Sequence, residues 1–84
     1  MSPTVFKWRG YRFFFFSREE TRPHVHVSCP DGEAKFWLEP APSVARNWGL
    51  SDTQLSRLMK VVEERKDAIL SSWQDHFRRG SDQH

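Results

Sequence analysis

The stretch HVHVSCPDGEAKFWL, residues 24–38, decides how this chain folds. Polar and apolar side chains alternate through HVHVSC (24–29), the period of a β-strand with one buried face. PDG (30–32) then reads as a turn: proline presets φ, aspartate bonds its own backbone, and glycine is expected at positive φ. EAKFWL (33–38) alternates again. Pairing the two runs through that turn joins like faces. Val25, Val27, Cys29, Ala34, Phe36 and Leu38 form a core floor. His24, His26, Ser28, Glu33, Lys35 and Trp37 share the opposite face, which a two-layer fold leaves open.

Upstream, PTVFKW (3–8) is β-branched and aromatic, RG (9–10) is a turn signal, and YRFFFFS (11–17) is a second strand. Its successive phenylalanines make both faces apolar, which suits a central strand covered on both sides or one that meets a partner. REETRP (18–23) is a polar loop closed by Pro23. Downstream, EPAPS (39–43) breaks the pattern, and Ser43 is expected to cap a short helical turn, VARNW, that stops at Gly49. Ser51 and Gln54 then form a capping box, with Leu50 and Leu55 at the staple positions. A long helix is expected from there to about Arg79. Leu55, Leu58, Met59, Val62, Ile69, Trp73 and Phe77 form its apolar stripe, interrupted at Lys66.

The expected fold is therefore α+β, with 1–84 as a single domain. A four-stranded, mainly antiparallel meander (3–38) packs on one long C-terminal helix (51–79), with a short helical turn (43–49) between. Such a helix would be roughly 40 Å long and the strands about 20 Å. Two readings stand for the difference. The helix overhangs, leaving Leu70, Trp73 and Phe77 as a partner surface, or it bends or breaks near Lys66 and wraps the sheet edge.

Seven Phe, four Trp and one Tyr give a chain this small enough bulk for a core, although mean hydropathy is −0.75. Net charge is only +2, so an anionic partner is permitted rather than demanded. The first 22 residues hold Lys7, Arg9, Arg12, Arg18 and Arg22 against Glu19 and Glu20, so a nucleic-acid footprint would fall on the sheet. A single cysteine excludes an intramolecular disulfide, and its register makes Cys29 an inert core thiol. No apolar run approaches a membrane span, and no secretory leader is evident. The expectation is a cytoplasmic protein with no membrane partner.

Four readings stand for the histidine pair. The plainest is solvated surface hydrogen-bonded across the strands to Glu33. In the second, His24 and His26 act as acid and base on RNA, with Lys35, Arg22 or Arg12 stabilising the developing charge, a metal-free ribonuclease that needs the 2′-OH as nucleophile. In the third, cations interleaved with Trp8, Tyr11 and Trp37 hold phosphates and stack bases. The fourth is a metal site, whose remaining ligands would come from Glu19, Glu20 or Glu33; His-x-His alone does not assemble a four-ligand set. No metal or other cofactor is assigned. Ser17 and Ser28 lack a triad, and no glycine-rich phosphate loop occurs.

SPTVFKWRGYRFFFFSREETRPHVHVSCPDGEAKFWLEP (2–40) resembles the opening of a family of small bacterial proteins catalogued as a domain of unknown function. Its members share a P-T-(I/V) strand, a G-Y-x-F-F-F strand, P-H-(I/V)-H-V, a K-(F/I)-W-L strand and a terminal helix with an aromatic pair like Trp73 and Phe77. The family pattern falls on Phe14, Pro23, His24, His26, Lys35 and Trp37. Arg22 stands where members often carry a second proline. The resemblance implies a gene pair like a type II toxin–antitoxin operon, with this chain as the toxin-like member and a small antitoxin-like protein as its partner. The leading expectation is a toxin-like protein acting on RNA, in which His24, His26 and Lys35 do the chemistry. Arg12, Arg22, Glu33, Trp37, Trp73 and Phe77 are the expected binding residues. The alternative is a non-catalytic module that docks a small protein; a metal-dependent enzyme is third.

Overall fold

The hairpin at the centre of the sequence is the centre of the sheet. A computed structural model describes residues 4–15 and 22–82, with 78–82 by backbone alone. Within it β3 (His24–Cys29) pairs antiparallel with β4 (Gly32–Trp37) through Pro30 and Asp31. Upstream lie β1 (Thr4–Trp8) and β2 (Tyr11–Phe14). Arg9 and Gly10 join them, both at positive φ (47° and 81°), the backbone that a two-residue hairpin of this twist requires. The expected strand over 11–17 thus ends at Phe14, and its last residues fall outside those described.

Downstream the structure corrects the sequence reading twice. Residues 43–48 are not a helical turn but a fifth strand, β5 (Ser43–Trp48), antiparallel to β4. Five residues are too few to nucleate a helix without help. The chain bends through residues 39–41 before Ser43, and the edge of β4 offers ladder bonds a helical turn would forgo. The sheet is therefore a five-stranded antiparallel meander in the order β1-β2-β3-β4-β5.

The second correction is to the long helix. α1 (Asp52–Glu64) ends at Arg65 and α2 (Lys66–Asp82) begins directly after it. Arg65 leaves helical geometry (φ −109°, ψ 16°), yet its N–H still donates to the Val61 carbonyl, and the Arg65 carbonyl still accepts from the Ile69 N–H. The break falls beside Lys66, the polar residue in the apolar stripe. It lets α1 lie against β4 and β5 while α2 turns onto β3. Leu58, Val62 and Ile69 are all fully buried across the joint, and Leu70 and Trp73 pack against the same core. The overhang reading is thus set aside in favour of the broken helix.

The floor of that core is the one read from the hairpin. Val25, Val27, Ala34, Phe36 and Leu38 are completely buried, with Cys29 at the margin. Phe13 joins them from β2 and stacks on Phe6 at 4.3 Å between centroids. Each such side chain contributes about 1.5–3 kcal/mol by leaving water. Gly32 departs from expectation: its φ is not positive, and its role is spatial, since a Cβ there would collide with the Trp48 carbonyl oxygen of β5. The capping box forms as read, with the Gln54 N–H donating to Ser51 Oγ (3.1 Å) and the Ser51 N–H to Gln54 Oε1 (2.9 Å). Gln54 Nε2 also donates to Tyr11 Oη and Asp31 Oδ2, tying the start of α1 to the sheet.

Candidate functional site

Cross-strand partners share a face, so the register builds the surface opposite the helices rung by rung. One rung runs Lys7, Arg12, Ser28, Glu33, Trp48 from β1 to β5. The next runs Phe14, His26, Lys35, Arg46. A third pairs His24 with Trp37. The hairpin reading of this face therefore holds for His24, His26, Ser28, Glu33, Lys35 and Trp37. Arg12 and Phe14 complete it from β2.

The two imidazoles are on that face but not open to solvent. His24 is 0% exposed and His26 5%. Their rings meet edge to face at 5.2 Å; Phe14 stacks on His26 at 5.5 Å, and Trp37 meets His24 edge-on at 5.7 Å. Depth follows from neighbours that alternation alone does not reveal: the larger rings flank the smaller ones. His24 Nδ1 lies 2.7 Å from the Arg22 carbonyl oxygen. A carbonyl only accepts, so Nδ1 carries the proton, and in the neutral ring Nε2 is the basic nitrogen. With both rings covered, neither is presented to a phosphodiester on this surface. The expected cross-strand neighbour of the pair, Glu33, lies one rung away beside Ser28 and Trp48.

What the face presents instead is a layer of cations seated on aromatic rings. The Arg12 guanidinium lies over Phe14 at 4.6 Å, and its Nε donates to Thr4 Oγ1 at 2.7 Å. Arg22 lies over Trp37 at 4.1 Å and donates from Nε to the Glu39 carbonyl oxygen at 3.0 Å. Lys35 Nζ sits 4.4 Å from the same indole, and Arg46 lies 5.9 Å from Trp48. Each contact holds a charge at the surface while leaving it hydrated, and an exposed pair of this kind is worth about 0.5–1 kcal/mol. Among the described residues, Glu33 is the one carboxylate on the three rungs, against Lys7, Arg12, Lys35 and Arg46, with Arg22 beside them.

Sequence reasoning missed Arg46 and Trp48 because β5 was read as helix. Part of their signal was there, in the alternation of Arg46 and Trp48; the register shift that sets Val44 on the other face was not legible. Trp73 and Phe77 are not part of this face. Their rings meet at a 41° tilt, 4.5 Å apart, on α2, with Trp73 against the core. Trp8 and Tyr11, expected to stack bases, pack against the core as well, 5.9 Å apart. Glu19 and Glu20, the proposed further metal ligands, lie outside the described residues, as do Arg18 and Ser17. Among the described residues no three metal-ligating side chains come together, and no helix is long and apolar enough to cross a membrane.

A family model described as a domain of unknown function, DUF4160, matches residues 10–74. That span runs from the first hairpin turn to just past Trp73, and so takes in the histidine pair and most of the cationic layer above it. No curated protein and no solved structure matches the chain significantly.

Proposed function

The chain belongs to the DUF4160 family, a domain of unknown function, and we propose that it binds single-stranded RNA across the cationic, aromatic face of its sheet. The observation that carries this reading is the layer itself: Arg12, Arg22, Lys35 and Arg46 held over Phe14, Trp37 and Trp48. Cations track a phosphate backbone, and the exposed Trp48 indole accepts an unstacked base, which only a single strand offers freely. An antiparallel sheet with helices on one side leaves the other side for such a strand to cross. The resemblance to toxin-like members of two-protein bacterial modules supports RNA as the target and the cytoplasm as the setting. On this reading the chain is the toxin-like member, opposed by a small antitoxin-like protein. His24 and His26 brace the layer from beneath.

Fluorescence anisotropy with a labelled 12-nucleotide RNA tests the proposal. The expected result is binding that weakens at least tenfold in the Arg12→Ala, Lys35→Ala, Arg46→Ala triple variant, with the circular dichroism spectrum unchanged. Equal affinity of wild type and triple variant would overturn it.

A further inference from the structure

β5 is the last strand on its side of the sheet, so alternate backbone N–H and C=O groups point away from β4, a template for another strand. It also carries the exposed large hydrophobic side chains of the described structure, Val44 at 43% and Trp48 at 45%. Arg46 lies between them in sequence and is exposed as well. Scattered apolar residues on a surface need no explanation. The register shift between Lys35 and Phe36 sets Val44 opposite buried Phe36 and Arg46 opposite Lys35, so Trp48 shares the face of Arg46 and Val44 lies on the other.

We propose that this edge takes an extended segment of an acidic partner protein, added as a sixth strand beside β5. The carrying argument is charge. A strand laid along β5 extends the rungs already described, so one of its side chains falls beside Arg46, with Lys35 one strand further in on the same rung. A carboxylate suits that place, and an apolar residue two positions along covers Trp48. A second copy of this chain fits poorly. Antiparallel self-pairing brings Arg46 towards its own counterpart and sets two cationic faces side by side, and like charges opposite each other destabilise a strand pair. Main-chain bonds supply affinity, and the alternate side chains supply choice of partner. The site stands apart from the RNA reading: its test uses no nucleic acid.

The test is an amide chemical-shift titration of the full chain with three seven-residue threonine peptides. The first carries valine at its second and sixth positions and glutamate at its fourth. The second has lysine in place of the glutamate. The third repeats the first with alternate backbone amides N-methylated, which keeps the charge and removes the ladder. The proposal predicts shifts concentrated in residues 43–48 with the glutamate peptide, affinity roughly threefold lower with lysine, and loss with the N-methylated peptide. Arg46→Glu should reverse the preference between glutamate and lysine, and Trp48→Ala should weaken both. Equal binding of the N-methylated peptide would mean charge attraction alone and overturn strand addition. No binding, or dimerisation of the chain abolished by Trp48→Ala, would overturn the acidic partner.

Discussion

At the scale of single residues, the histidine pair shows how far alternation reaches. The period of two placed His24 and His26 on the face opposite the core, and the register agrees. It did not give their depth, because depth is set by Phe14 from one neighbouring strand and Trp37 from the other. Both are legible as residues, but not as covers until the pairing is known. His24 is a buried residue whose Nδ1 proton goes to the Arg22 carbonyl. Two substitutions separate these roles. His24→Ala removes the ring and the donor and is expected to cost about 2–4 kcal/mol in urea unfolding. His24→Asn keeps a donor at the same branch of the side chain and should cost less. Equal losses would mean that the hydrogen bond contributes nothing beyond packing. Arg22 is held at two points, by Trp37 and by the Glu39 carbonyl, so loss of His24 should also loosen the cation above it.

Elements were legible where local chemistry and tertiary need agreed. The two hairpin turns, the first four strands and the capping box all carry their instructions within a few residues. β5 does not. Its sequence, SVARNW, begins with a serine that resembles a helix cap, and only the unpaired edge of β4 decides the matter. The break at Arg65 is similar: helical periodicity runs through it, and only the need to keep both Leu58 and Ile69 buried on a short sheet turns the chain. Two predictions belong here. Ser51→Ala should cost about 1 kcal/mol as a lost cap. Gln54→Ala should cost more, about 1–2 kcal/mol, since the same amide also reaches Tyr11 and Asp31. A smaller loss for Gln54→Ala, measured by denaturant midpoint, would separate the cap from the sheet. At Gly32 the prediction is steeper: Gly32→Ala drives a methyl into the Trp48 carbonyl oxygen and should displace β5 from β4, visible as lost hydrogen-exchange protection at residues 43–48.

For the whole molecule, the two layers divide the labour. The helices and the apolar face of the sheet make the core, which frees the opposite face to be polar at the surface and aromatic beneath. The chain's net charge of +2 understates this, because residues 51–84 are balanced at six basic and six acidic, and residues 1–50 hold five carboxylates of which Glu33 is on the rungs. A binding face of this kind responds to salt. If about four phosphates are engaged, the logarithm of affinity should fall with the logarithm of salt at a slope near −3. Lys35→Ala with Arg46→Ala should flatten that slope by roughly 1.4; an unchanged slope would place the phosphates elsewhere. In a bacterial host, the toxin-like reading predicts growth arrest on induction of the chain, relieved by the same double change at matched soluble level.

The most direct measurement is ultraviolet crosslinking of the chain to a photoreactive single-stranded RNA, with the crosslinked peptides mapped by mass spectrometry. RNA crossing the sheet face predicts adducts in the peptides of β2, β4 and β5, at or beside Arg12, Trp37 and Trp48. Adducts confined to α2, around Trp73 and Phe77, or no specific adduct at all, would contradict the account.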